Sequence, residues 1–450
     1  MQGLSVKGVR MFDGEKAYAH LRELAAEIGP RASGTQNEKR AAEYISSHFK
    51  SLGLNAYYQE FNVRTASALT QRLEVLKPYQ DEVECTAFLL AGDTGPDGVE
   101  GELIYMDSLS DEYISSEIDG KIVITSGFFR KGLELFKKHR PKGIINIGRS
   151  PRMPVGHTWG AAKTKEKYGP MPTINVTFDD GLKLLESNVE KVRLTVVTDE
   201  RDAVTQNVIG ELVGSERPDE IVIIGGHYDT VPDVPGASDN AGGTAVVMEL
   251  ARVFKEKGTQ RTMRFTAWAG EEMMLLGSGH DALRLKKDDG KIKKKDPEAE
   301  SELDKVKLVV NVDVQGARIG TNQASALGPS ELGASVKLLA KVEGISVPMP
   351  LNGGAVQDGV YSSDGTSYSS IGIPSVNFMR YGKTPLHSVE DTIRWLDSGA
   401  LRMQGAFIER FLTMYIAESK TFPFERAVSE EQMKAIERYY QKFLIRPPGE

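Results

Sequence analysis

Hydrophobic positions change their period along the chain, and the changes mark out its parts. In residues 15–28, Tyr18, Leu21, Leu24, Ala25 and Ile28 fall on one face of a helix. Residues 36–52 repeat the pattern with Ala41, Ile45, Phe49 and Leu52, and Gly53 supplies a stop. NAYYQEFNV then reads as a strand. From about residue 66 to 195 the pattern breaks into short β-branched runs (GELIYM, GKIVIT, KGIINIG, PTINVTF) separated by Gly, Asp and Pro turns. Helices are predicted within it at 130–139 and 179–187. We read residues 66–195 as a separate β-rich module, inserted into a larger domain made of residues 1–65 and 196–450.

From residue 204 onward strands and helices alternate. TQNVIGELV, EIVIIGG, TMRFTAWAG, VKLVVNV and IPSVNFM read as strands, and several are nearly continuous apolar runs, as in strands buried on both faces. Residues 243–256 form a helix with Val246, Val247, Leu250 and Phe254 inward. The fold class is therefore α/β, a sheet covered by helices. The charge run at 286–305 reads as a solvated connection between a helix and the strand at 306. A last helix near 429–444 opens with Ser429 and Gln432 in capping-box spacing, and Met433, Ile436, Tyr440 and Phe443 form its apolar stripe.

Composition narrows the function classes. The chain has 450 residues, 40% hydrophobic and 26% charged, with a formal net charge of −7. That balance argues against nucleic acid, whose binders present a basic field. The single cysteine, Cys85, excludes an intrachain disulfide and a thiolate zinc cluster. No apolar run approaches the ~20 residues of a membrane span. The first residues lack a signal-peptide profile, so a cytoplasmic location is expected.

Chemistry gathers where the buried strands end. IVIIGG is followed by His227 and Asp229; TMRFTAWAG by Glu271 and Glu272; VKLVVNV by Asp313. In open α/β sheets, ligand sites collect at the carboxyl ends of strands, so one edge can gather all of these. GASDNAGG places Asp239 before the helix at 243, where its two oxygens can bridge two cations ~3.5–4 Å apart or cap the helix. Asp229, two residues after His227, shares a face with it in extended chain and can hold the second imidazole nitrogen. Glu271 and Glu272 point opposite ways in extended chain, so one binds metal and the other acts as base; periodicity does not say which. His387 and Asp391 lie in LHSVEDT, and Tyr381 on the same loop can donate to an oxyanion. His20, His48, His139 and His280 carry no such acidic pattern and read as structural.

The strings GGHYDT, GASDNAGG, WAGEE with LLGS, NVDVQG and LHSVEDT resemble metallopeptidase family 28, the two-zinc aminopeptidase type, over residues 204–418. GPRASGTQNEKRAAEYI resembles the family's opening, and residues 66–195 resemble its protease-associated domain. The resemblance implies a mixed, mostly parallel central sheet of zinc-peptidase/phosphorylase type. It implies zinc ligands His227, Asp239 (bridging), Asp313, Glu272 and His387, with Glu271 as general base, Asp229 orienting His227, Tyr381 as the transition-state tyrosine and a cis peptide after Asp239. SSDGTSY departs from the family's Ser-Asp-His by carrying Gly365 at the third position.

The expected activity is hydrolysis of N-terminal residues from peptides with a free amine, using two zinc ions for which cobalt or manganese can substitute. Three other readings are weighed. A two-zinc carboxypeptidase or dipeptidase requires arginines in the pocket, and Arg380 is near. A glutaminyl cyclase shares the fold with one zinc. A receptor-like scaffold loses ligands, whereas all are present here.

Overall fold

Strand Lys191–Leu212 runs through both halves of the protein. In the computed structural model, residues 11–107, 116–126, 130–148, 157–158, 163–352, 356–382 and 384–443 are described. One end of this strand pairs antiparallel with Arg261–Trp268, Met263 opposite Leu212. Its other end pairs antiparallel with Val99–Met106, Val99 opposite Leu194. Along its flank lies Asn55–Lys77, antiparallel from Asn55 opposite Glu211 to Lys77 opposite Lys191.

Beyond Arg261–Trp268 the sheet continues through Arg217–His227, Val306–Val312 and Ser375–Gly382, all parallel, and closes on Gly320–Leu327, which is antiparallel. This is the mixed, mostly parallel sheet expected. The apolar runs are explained by burial on both faces. Val222, Ile224, Phe265, Leu308 and Val310 face the largest core cluster, packed by helices Gly14–Arg22, Gln36–Ser51, Gly242–Lys257 and Ser398–Leu412. Ile221, Ile223, Trp268 and Val309 point the other way, against Ala282, Leu285 and Tyr368. Each such side chain contributes roughly 1.5–3 kcal/mol on burial, which fixes the strand register and hence where each strand stops.

The short runs of residues 86–176 form a second region of strands. Val99–Met106, Ile122–Ser126, Gly143–Ile147 and Thr173–Val176 pair in that order. Ile122, Ile124, Ile144, Ile174, Val192 and Val196 fill its own cluster. Residues of the larger part join that cluster, Val63 and Met273 within it and Leu276 against it, and Met273 directly follows Glu272.

The charge run differs from expectation. Helix Leu276–Lys295 extends well into it, and Glu302–Lys305 follows. Lysine is a good helix former, and ion pairs hold the exposed turns: Lys291 with Asp288 at 2.8 Å, Lys293 with Asp289 at 2.7 Å and with Asp304 at 2.9 Å. Arg284 and Arg264 both reach Glu302, which folds the connection back on the sheet.

Candidate metal centre

Five side chains from four segments converge beyond the carboxyl ends of the central strands. Strand Arg217–His227 ends on His227, which is 1% exposed. Its Nε2 lies 3.2 Å from Asp239 Oδ1 and 3.3 Å from Asp313 Oδ1. On the other side, His387 Nε2 lies 3.2 Å from Asp239 Oδ2 and 3.2 Å from Glu272 Oε2. Asp239 therefore turns one oxygen to each imidazole. The result is two groups of ligand-type atoms, His227–Asp239–Asp313 and Asp239–Glu272–His387, each with its atoms within 4.8 Å of one another.

Local chain chemistry places these groups. The peptide between Asp239 and Asn240 is cis, as the family resemblance implies. Asp391 accepts from the backbone of Ser238 at 3.0 Å and of Asp239 at 3.1 Å, and from the Ser238 hydroxyl at 2.8 Å. Asn240 Nδ2 donates to Val312 O, and its Oδ1 caps Gly243 N. A Cβ at Gly243 would stand 2.2 Å from that Oδ1 and 2.3 Å from Val312 O, so only glycine lets the helix start here. Asp313 N is tied to Phe378 O at 3.0 Å.

Asp229 does more than its spacing suggests. Its Oδ1 faces His227 Nδ1 at 3.4 Å. The same carboxylate accepts from the backbone N–H of Glu271 at 3.1 Å and of Glu272 at 3.3 Å, and from the Ser33 hydroxyl at 3.3 Å. One buried acid thus fixes both glutamates and the first histidine.

The loop carrying those glutamates is strained. Met274 and Leu275 have φ of 72° and 60°, a left-handed conformation that costs non-glycine residues roughly 1–2 kcal/mol each. Leu275 N bonds Glu271 O at 2.9 Å, and Leu276 N bonds Gly270 O at 2.9 Å. A narrow cleft opens beside Glu272, walled by Ser33, Thr65, Leu89, Pro232 and Met273 from both halves of the molecule.

Two residues have roles that spacing does not disclose. Arg31, fully buried, donates to five backbone carbonyls: Nε to Tyr228 O (2.8 Å), Nη1 to Leu24, Gly29 and Pro235 O (2.8, 2.7 and 2.8 Å), and Nη2 to Gly236 O (3.1 Å). It braces the loop between His227 and Asp239. Burial lowers its guanidinium to about 10, against the pull of Asp229, Asp391 and Asp239, so it remains a cation among these acids. Tyr361 donates its hydroxyl to Asp313 Oδ2 at 3.1 Å. Tyr381 is half-buried at the end of its strand, beside the small cluster of Val356, Tyr361 and Met379.

Gly365 is explained by its neighbours. A Cβ there would lie 2.6 Å from Asn377 Oδ1, so Asn377 fills space that a larger residue would need. Next to it Asp364 is wholly buried, and burial raises it to about 7 against the pull of His227 and Ser278. Arg380 is occupied: its Nε donates to Ala317 O at 2.6 Å and its Nη1 to Asn322 Oδ1 at 2.7 Å.

The electrostatics ask for cations. Burial raises Glu271 well above the carboxylate range, opposed by His227 and aided by Glu272, Asp364 and Asp313. Burial likewise raises Glu272. Burial lowers the two imidazoles, and the acids around them more than reverse this. Glu272 Oε1, buried in the same centre, has no hydrogen-bond partner. Buried acceptors that face one another without donors fit divalent cations, and the imidazole and carboxylate donor set suits zinc.

An α/β fold with such a centre at the strand ends defines a metallopeptidase. Residues 207–412 match the family described as Peptidase family M28. It is similar to "Aminopeptidase YwaD" of Bacillus subtilis (strain 168), 26% identical over 94% of this chain and 89% of that protein. It is also similar to "Carboxypeptidase Q" of Bos taurus, 24% identical over 58% of this chain and 60% of that one. The structure superposes on BSAP, a zinc aminopeptidase from Bacillus subtilis, with a TM-score of 0.73 at 22% identity, over 94% of this chain and 100% of that one. A peptidase M28 precursor from Shewanella amazonensis gives 0.74 at 22% identity, over 91% and 95%.

Proposed function

We propose that this chain is a zinc aminopeptidase using two ions, and that the observation carrying this is the shared Asp239 carboxylate. One of its oxygens faces His227 and the other His387, each within 3.2 Å. His227, Asp239 and Asp313 would hold one ion, and Asp239, Glu272 and His387 the other. Zinc bound there supplies Lewis-acid chemistry, acidifying water toward pKa ~7 and polarising the scissile carbonyl.

The chain's own groups do the rest. Glu271 is the general base: it takes a proton from the attacking water and delivers it to the leaving amine. Asp229 orients His227 and, through two backbone N–H groups, Glu271 and Glu272. For the donor to the developing oxyanion we favour Tyr361 over Tyr381, because its hydroxyl already lies against Asp313. Residues 66–195 form a protease-associated-like lobe that walls the cleft through Leu89.

Free-amine specificity follows from charge. The centre is rich in carboxylates, which attract an ammonium. Carboxylate-end recognition needs a guanidinium that offers its fork to the substrate, and Arg380 commits Nε and Nη1 to Ala317 and Asn322. The substrates are peptides with a free N-terminus. Among the described residues no helix is long and apolar enough to cross a membrane.

The test is a panel of aminoacyl-chromophore amides beside N-acetylated and C-terminal substrates, before and after chelation. Hydrolysis of free-amine substrates alone, lost on chelation and restored by two equivalents of zinc, is expected. Equal rates on N-acetylated substrates would overturn the aminopeptidase reading, and full activity at one zinc per chain would favour a cyclase-like centre.

A further inference from the structure

Helix Glu430–Phe443 lies outside the family match at 207–412, yet it packs on the loop that carries Glu271. Leu275, one of the two left-handed residues of that loop, is 3% exposed. It sits in a cluster with Ala435, Ile436, Tyr439 and Tyr440, and Met274 and Met433 pack against the same cluster. Leu275 N is hydrogen-bonded to Glu271 O, so the helix grips a residue one bond from the proposed base. Its phenols reach the adjoining segment. The Tyr439 hydroxyl meets Ser362 Oγ, next to Tyr361, and Tyr440 donates to Thr366 O at 3.4 Å.

Left-handed non-glycine residues persist only where surrounding packing over-determines them. Here the surroundings come from two sides. Met273 is anchored in the core of the inserted lobe, and Leu275 under the C-terminal helix. We propose that helix Glu430–Phe443 is a positioning element for Glu271, acting through Leu275, with Tyr439 as its tie to the Tyr361 segment. The proposal rests on the reading of Glu271 as base.

The experiment compares Tyr439→Ala and Tyr439→Phe in the full zinc-loaded enzyme. In Tyr439→Ala, kcat on an aminoacyl amide is expected to fall ~10-fold or more, since misplacing a catalytic group by 1 Å can cost ~100-fold. KM should stay within about twofold and the zinc content should be unchanged. Amide hydrogen exchange in residues 270–276 should rise about tenfold, with strand Arg217–His227 unaffected. Tyr439→Phe, which keeps the packing, should recover most of both losses. If Tyr439→Ala fails to fold, Ile436→Val makes the same test with a smaller lesion. Unchanged loop exchange, or faster exchange with kcat within about twofold of wild type, would overturn the proposal. A wild-type enzyme without amidase activity would instead fail the functional reading, and the exchange measurement would still report on the grip itself.

Discussion

The hydroxyl of Tyr361 donates to Oδ2 of Asp313 at 3.1 Å, while Oδ1 of the same carboxylate faces His227. A phenol held there can shift its hydrogen bond to a carbonyl oxygen as negative charge develops. Removing one such donor typically costs ~100–1,000-fold in kcat. Tyr361→Phe should therefore lower kcat by roughly 100-fold with zinc content intact, and Tyr381→Phe should stay within about threefold. Steady-state kinetics with metal analysis on both variants decides between the two tyrosines.

Glu271→Gln removes the proposed base and keeps the shape. Base catalysis contributes ~100–10,000-fold, so turnover should fall by about that amount. Two zinc ions per chain should remain, because no ligand-type atom is lost. Loss of both metals on dialysis would contradict the assignment.

Arg31 ties the loop between His227 and Asp239, through the carbonyls of Tyr228, Pro235 and Gly236, to those of Leu24 and Gly29. Arg31→Met removes the donor to Tyr228, Gly29 and Pro235 O, at ~1–3 kcal/mol for each group left unsatisfied, while Leu24 O and Gly236 O keep the backbone N–H groups of Gly29 and Ala241. Zinc affinity, measured by competition with a chromophoric chelator, should weaken ~10–100-fold, the usual effect of losing outer support for metal ligands. Arg31→Lys should fall between, since an ammonium keeps the charge but not the planar fork.

His20 sets part of the acid response. It lies half-buried with Nδ1 2.7 Å from the Tyr44 hydroxyl and its ring 4.4 Å from His48. Burial lowers its imidazole to about 3, helped by His48 and Lys16. The unfolded chain binds this proton near pH 6.5 and the folded one does not. Its contribution to stability is thus full above pH 6.5 and lost progressively as pH falls toward 3. His20→Gln should flatten this part of the pH dependence, measured as the difference from wild type in urea midpoints between pH 7.5 and 5, with zinc held in excess.

The sheet and the converging acids were legible because burial on both faces leaves apolar runs, and because strand ends share one edge. His227, Asp239, Glu272, Asp313 and His387 do meet. Arg31, Tyr361 and the second task of Asp229 were not legible. Arg31 acts mainly on carbonyls about 200 positions away, and backbone carbonyls carry no sequence signature. Tyr361 is one of 15 tyrosines, and only the fold of the Tyr361–Tyr368 segment puts its hydroxyl on Asp313. The helix through the charge run escaped notice because its support is a lattice of ion pairs rather than an apolar stripe.

The chain departs from and returns to the larger half within a few rungs of one ladder, between Val63 opposite Ala203 and Ala66 opposite Glu200. Both ends of any excision are thus already hydrogen-bonded partners. A tight hairpin could close the gap without shifting the register of the remaining sheet. An engineer can treat the intervening stretch as an exchangeable cassette, with Val63, Met273 and Leu276 among the residues that would need polar replacements once their apolar neighbours were gone.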